Sequence, residues 1–249
     1  MIYLKFIIAG WFFFTSFSAK ADFVAMHQNC NNLAGCYVLS GEITKQDALA
    51  VREVTEKSLG QNLSHPQILL NSKGGDVYAA FSIGRDIRKI QGAAIVTMDS
   101  VCYSACVFIL AGATQRLVGG SVGIHRPYRN NTELVSIDEA QSQYTMLMKD
   151  SKKFLEEMNL SGELYEAMVR ISPEQIRILS DNELSAYGLN RIDPVQDDYY
   201  DTVGAGSYGI TKQEYLARKY KKDTVCERFV QAGDQDAFQE CSERVMSGR

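Results

Sequence analysis

The stretch Gln67-Ile-Leu-Leu-Asn-Ser-Lys-Gly-Gly-Asp-Val-Tyr-Ala-Ala-Phe-Ser-Ile-Gly-Arg-Asp-Ile-Arg-Lys-Ile-Gln-Gly-Ala-Ala-Ile-Val-Thr-Met-Asp-Ser-Val-Cys-Tyr-Ser-Ala-Cys106 decides the fold. Gln67 to Ser72 reads as a strand, and Lys73-Gly74-Gly75 as a tight turn. From Asp76 to Ile90 the apolar residues Val77, Ala80, Phe81, Gly84, Ile87 and Ile90 share one side of a helix. Ala93 to Met98 is a second strand, and Asp99 to Tyr103 leads into a short apolar helix from Ser104 to about Ala111. Strand, helix, strand, helix in this order predicts an α/β fold with a parallel sheet and right-handed crossovers.

The pattern continues on both sides. Upstream, Cys36 to Ile43 alternates as a strand. Thr44 with Asp47 then opens a helix whose buried face is expected to be Leu49, Val51, Val54 and Leu59. Downstream, Arg116 to Val118 and Val122 to Ile124 are brief strands, the second running into His125-Arg-Pro-Tyr. A long helix is expected from Ile137 to Asn159, with Ala140, Tyr144, Met148, Phe154 and Met158 among its apolar positions. Another helix should run from about Leu164 to Ile171, before the start signal Ser172-Pro173. Ser180 with Glu183 fits a capping box for a small helix ending at Tyr187-Gly188. Arg191 to Gly209 reads as a linker, and Thr211 to Met246 as a polar helical tail.

The chain has 249 residues, 45% hydrophobic and 22% charged, within the range of ordinary globular proteins. Lys5, the apolar block Phe6 to Phe14 and Ala19-Lys-Ala21 resemble a secretory signal, which makes residues 1–21 an expected signal peptide. The remaining division is a main α/β domain over 22–195 and a linker with helical tail over 196–249. An uncleaved membrane anchor is the other reading of the first block, although that block is short for a span. Cleavage after Ala21 takes the net charge from −4 to −6, which argues against nucleic acid as a partner. Export makes disulfides permissible for the six cysteines. Local spacing favours Cys30 with Cys36 and Cys226 with Cys241, whereas Cys102 and Cys106 read first as buried small thiols and second as a bridge that fixes the turn around Ser104.

Acyl-bond hydrolysis needs a nucleophile, a base and donors for the developing oxyanion. Ser104 opens a helix after a strand, so Ala105 N–H is a candidate donor. Gly74-Gly75 follows a parallel strand, and Gly75 is the second candidate donor. His125 ends a short strand and is the candidate base, while His27 and His65 lie in polar loops. Each feature has a plain structural explanation on its own, as a cap, a turn and a satisfied histidine; the combination carries the reading. No zinc set accompanies His125, no cofactor is called for, and the Gly-Gly turn lacks the phosphate-binding pattern of nucleotide sites.

These motifs resemble a known family. Asn71-Ser-Lys-Gly-Gly-Asp, Tyr103-Ser-Ala-Cys, Ala111-Gly, Gly123-Ile-His-Arg-Pro and Tyr187-Gly-Leu occur in the order seen in the Clp protease proteolytic subunit. There the corresponding pieces are Asn-Ser-Pro-Gly-Gly, Ala-Ala-Ser-Met, Ala-Gly, Ile-His-Gln-Pro and Tyr-Gly-Leu-Val-Asp. The likeness spans about Tyr37 to Asp193, and Cys102-Tyr-Ser-Ala-Cys is similar to the secreted branch of the family. The resemblance implies a crotonase-type β/α spiral with a small helical C-terminal extension. It also implies a serine peptidase with Ser104 as nucleophile, His125 as base and Gly75 with Ala105 as the oxyanion hole. Peptide or unfolded protein would be the substrate and a homo-oligomer the assembly, in the periplasm.

The sequence departs from the family at two places. Lys73 replaces the turn proline, and Ile176 falls where the family's aspartate is counted. Glu174, Asp181 or a backbone carbonyl could orient His125 instead, and Lys149 or Lys152 could form a serine–lysine dyad. The competing functions are a non-catalytic peptide-binding or oligomeric scaffold and an acyl-CoA enzyme on the same type of fold.

Overall fold

The computed structural model describes residues 22–25, 35–61, 66–128 and 135–248. The expected signal peptide, Cys30, His27 and His65 lie outside them. The strands are β1 (Asp22–Ala25), β2 (Cys36–Ile43), β3 (Gln67–Gly75), β4 (Ala93–Val96), β5 (Val101–Tyr103), β6 (Gln115–Val118), β7 (Ser121–Ile124) and β8 (Arg177–Ile178). The helices are α1 (Lys45–Gln61), α2 (Val77–Lys89), α3 (Cys106–Gly112), α4 (Ile137–Glu157), α5 (Gly162–Arg170), α6 (Asp181–Tyr187), α7 (Pro194–Tyr208), α8 (Lys212–Gln231) and α9 (Gln235–Ser247).

The nine-residue β3 is the fork of the sheet. Its first half, Gln67 to Leu69, pairs in parallel with β4, which pairs in turn with β6. Further along, Ser72 pairs with Cys102 of β5, which continues to β7 and then to antiparallel β8. β2 lies parallel on the other side of β3, and β1 is antiparallel to β2. A sheet that splits along one strand and curls is the expected spiral, and the chain is an α/β protein with a mostly parallel sheet.

Helices α2, α3 and α4 close over this sheet around Phe81, Phe108 and Phe154, whose ring centroids lie 4.8–5.8 Å apart. Helices α2 and α3 touch backbone to backbone: a Cβ built at Gly112 would lie 2.3 Å from Cα of Gly84. That contact holds α3, and with it the segment before it, against the core.

The α1 face differs from expectation. Leu49 and Leu59 are exposed, whereas Ala48, Val51, Thr55 and Ser58 are buried. Spacing of three, four and three residues is the true helical stripe, and the Thr55 hydroxyl is satisfied by the Val51 carbonyl at 2.9 Å. In α4 only the second half packs inward, through Leu147, Met148, Ser151, Phe154 and Leu155. Ser172-Pro173 opens a turn instead of a helix, and the chain goes on to the short β8. The capping box at Ser180 and Glu183 is present as read.

The segment expected as a linker is instead helix α7. Asp193 caps it, Pro194 stands at its first turn, and Lys219 of α8 bonds Asp197 and Asp201 along its side. Helices α8 and α9 form a hairpin joined by the expected Cys226–Cys241 disulfide. No helix among the described residues is long and apolar enough to cross a membrane.

Candidate active site

The site forms where β3, β5 and β7 end side by side. The register Val101↔Ser121, Cys102↔Val122 and Tyr103↔Gly123 places Ser104 one residue past the last pair, beside the strand that delivers His125. Ser104 N–H donates to the Gly123 carbonyl at 3.0 Å, which bolts the serine's backbone to β7. Neighbouring strands lie about 4.8 Å apart, so register alone brings Ser104 and His125 into one neighbourhood. Among the described residues no hydrogen bond joins the Ser104 hydroxyl to the imidazole. In unliganded sites such bonds are often long and tighten only with substrate.

Ser104 holds φ +56°, one of three non-glycine residues with positive φ among those described. A serine pays for that conformation unless its surroundings enforce it, and such residues cluster at functional turns. The turn raises the side chain off the strand ahead of α3, where Ser104 is half-buried. Ala105 rather than Ser104 is the N-cap, and α3 has only seven residues from Cys106. The helix therefore starts two residues later than expected. The Ala105 N–H has no backbone acceptor among the described residues.

Above Ser104 lies the Gly-Gly end of β3, which stays paired with Glu42 and Ile43 of β2 instead of forming the tight turn expected at Lys73-Gly74-Gly75. A Cβ built at Gly74 would fall 2.7 Å from Ser104 Cβ, 3.1 Å from its Oγ and 3.2 Å from Ala105 N. Only hydrogen at Gly74 leaves the hydroxyl and the Ala105 donor open to a common approaching group. Gly75, at φ +147°, faces β2 instead, where a Cβ would strike the Ile43 backbone. Gly74 N–H is held by Ser72 Oγ at 3.1 Å and Asp76 N–H by the Ile43 carbonyl at 2.9 Å, so the N–H groups on both sides of Gly75 are committed.

His125 is 4% exposed, with Tyr128 tilted against its ring at 5.5 Å. Its Nδ1 lies 2.8 Å from the carbonyl of Arg126. A carbonyl can only accept, so in the neutral ring Nδ1 carries the proton and Nε2 keeps its lone pair. The Arg126 N–H is anchored in turn to the Ile171 carbonyl at 3.0 Å, at the end of α5. Of the three orienting groups left open by the sequence, the backbone carbonyl is the one in contact.

Glu174 is exposed and bonded by the Ser172 hydroxyl. That bond and its own backbone N–H, then the charges of Arg126 and His125, hold its carboxyl below the ordinary range. Asp181 sits in the first turn of α6 and makes no described contact with His125. Ile176, at the family's acid position, covers the strand instead: its Cγ2 would lie 2.5 Å from a Cβ built at Gly123. Lys149 and Lys152 are exposed on α4, and Lys152 lies over the Tyr165 ring at 5.8 Å. Neither makes a described contact with Ser104.

Cys102 and Cys106 form a disulfide, which overturns their reading as free buried thiols. Both are 0% exposed, so the second reading, a bridge across the turn, holds together with the burial of the first. With Ser104 at positive φ, the chain turns sharply enough to bring the two Cα atoms to 5.2 Å. The sequence allows a backbone carbonyl beside His125 but carries no signal for which one, and none for the Ile171 contact, which crosses the fold.

The Clp protease family profile matches residues 38–198, well over half of the chain. Comparison with curated proteins yields no match. Among solved structures, a point mutant of ClpP1 from Listeria monocytogenes is similar, at a TM-score of 0.50 and 21% identity, over 62% of this chain and 88% of that one. The spiral sheet, the order of the motifs and the extent of the profile match lead to one assignment: the chain belongs to the Clp protease family.

Proposed function

We propose that this chain is an exported serine peptidase in which Ser104 is the nucleophile and His125 the general base. One observation carries the reading: Ser104 stands at φ +56° at the end of β5, tied by its N–H to the strand that delivers His125 and overlaid by a side-chain-free Gly74. A structural cap does not need that backbone conformation, whereas a nucleophile that must project toward substrate does.

In this reading Nε2 of His125 takes the Ser104 proton as Oγ attacks the peptide carbonyl. The N–H groups of Ala105 and Gly75 receive the developing oxyanion. Collapse of the tetrahedral intermediate breaks the C–N bond as the imidazolium returns the proton to the amine. Water, deprotonated by the same nitrogen, then releases the acyl group. The Arg126 carbonyl does the orienting work of a triad carboxylate by fixing the ring tautomer. It carries only a partial charge, so it stabilises the imidazolium less, and the exposed carboxylate of Glu174 adds a solvent-screened contribution.

The leading segment fits an export signal, and five disulfide-bonded cysteines, Cys36, Cys102 with Cys106, and Cys226 with Cys241, fit an oxidising compartment such as the periplasm. Substrates there would be peptides or already unfolded chains, since no nucleotide-driven unfoldase is implied. Self-association is supported by the exposed apolar residues Ile137 and Met146 on the outer half of α4.

The test is labelling with a fluorophosphonate, followed by peptide mapping. Labelling at Ser104, abolished in Ser104→Ala and slowed at least about a hundredfold in His125→Ala with the fold intact, is expected. Absence of labelling in the wild-type protein, or undiminished labelling of Ser104→Ala, would end the hydrolase reading and leave a scaffold role.

A further inference from the structure

We propose that the Cys102–Cys106 disulfide is a positioning element for Ser104, so that the peptidase becomes competent only after this bond forms. The inference rests on the reading of Ser104 as nucleophile. The bond closes a five-residue loop, Cys102-Tyr-Ser-Ala-Cys106, with Ser104 at its centre. One end is fixed in the sheet, because Cys102 pairs with both Ser72 of β3 and Val122 of β7. The other end is the first residue of α3.

What makes the bond more than a filler is the absence of an ordinary helix start. The N-cap of α3 is Ala105, in right-handed helical conformation, with no side-chain capping bond. Most strongly capped helices in this chain have Ser, Thr or Asp at that position, as at Asp76, Ser136 and Thr211. Among the described residues the backbone hydrogen bonds at the elbow are Ser104 N–H to the Gly123 carbonyl, Val107 N–H to the Ser104 carbonyl and Phe108 N–H to the Ala105 carbonyl, and α3 also packs on α2 through Gly84 and Gly112. None of these directly links Cys102 of β5 to Cys106 of α3. The disulfide does, and it thereby holds a residue that on its own prefers negative φ. It also fixes the Ala105 N–H relative to Oγ, which is the relation an oxyanion donor requires.

Opening the bond takes two electrons and two protons from a dithiol. The S–S bond breaks to two thiols, and the reductant becomes a disulfide. Ser104 is then free to relax toward negative φ, which swings Oγ and the Ala105 N–H out of their shared alignment. Because both cysteines are wholly buried, the folded protein resists this reaction, and the state of the bond is set when the chain folds. A chain folded in a thiol-reducing compartment is therefore latent, and one folded where disulfides form is active.

The test compares C102A/C106A with C226A/C241A, which removes the remote bridge between α8 and α9. Rate and reversible-binding constants are measured for fluorophosphonate inactivation, and kcat and KM for a peptide substrate. Loss of Cys102–Cys106 should lower the inactivation rate constant and kcat at least tenfold while binding and KM stay within twofold; loss of Cys226–Cys241 should leave all four unchanged. Equal rates in C102A/C106A and wild type, or equal losses in both variants, would overturn the proposal. If C102A/C106A fails to fold by circular dichroism, wild-type protein is instead refolded in graded dithiothreitol and its thiols mapped by mass spectrometry. Labelling should then track the fraction with this bridge closed, and full-rate labelling of molecules with it open would refute the idea. A wild-type protein that takes no label at all defeats the peptidase reading itself, which is a separate outcome.

Discussion

Replacing Asp193 by Asn tests the charged junction that holds the C-terminal helices to the core. The carboxylate is 1% exposed and accepts from Arg88 at 2.7 Å, Arg116 at 3.4 Å and Asn159 at 3.2 Å. Arg116 is wholly buried, and its other bonds go to the carbonyls of Gly188, Ala111 and Met158 at 2.8–3.0 Å. Burial pulls the guanidinium down to about 10 even with Asp193 beside it. Asparagine keeps the cap on α7, so the variant isolates the charge. Stranding one member of a buried pair costs about 3–5 kcal/mol, and the 22% exposure of Arg88 places this case near 3 kcal/mol. For a chain of this size that is a fall of about 6–12 °C in Tm.

Acidification supplies an internal check on sign. Burial alone would raise the Asp193 pKa, but the hydrogen bond and charge of Arg88, followed by Asn159 and Arg116, outweigh it and leave the pKa lowered. The folded carboxyl thus binds a proton less readily than the unfolded one. Its stabilisation is complete above the unfolded value, about 3.9, and is lost as pH falls through the folded value. Urea denaturation followed by circular dichroism should show the gap between wild type and D193N widest near neutrality and shrinking in acid. A neutral-pH gap under about 1 kcal/mol, or one that grows on acidification, would refute the reasoning. The rate of Ser104 labelling per folded molecule should not change.

Two further outcomes follow from the site. Gly74→Ala puts a methyl 2.7 Å from Ser104 Cβ at φ +112°, so labelling should fall at least about a hundredfold while circular dichroism shows a retained fold; near-wild-type labelling would mean Gly74 does not close over the nucleophile. Glu174→Gln should lower kcat by less than about tenfold, with the loss shrinking as salt rises, because this exposed carboxylate acts through solvent; kinetics across ionic strength decide it, and a salt-independent loss would indicate direct contact with His125.

The α/β order and the helix over 77–89 were legible in the sequence because each depends on local signals. Period-two strands, a period-3.6 apolar stripe and glycines between them specify α/β order, and parallel pairing follows from the crossovers. The same local reading missed α7, whose polar, glycine-containing sequence is helical because Asp193 caps it and α8 supports it. It also assigned Leu49 and Leu59 to the core, where the packing of α1 against α2 selects Thr55 and Ser58 instead.

At the site, the residue types for acyl transfer were present in the sequence, but their geometry was not. Positive φ at Ser104, the bond from Cys102 to Cys106 and the Arg126 carbonyl on Nδ1 are products of three strands ending together. A main-chain carbonyl has no sequence signature, and a turn's handedness is imposed by the contacts around it. Sequence determined which chemistry the chain could hold; the junction of β3, β5 and β7 decided which atoms face one another, because orientation arises only when distant segments share one packed edge.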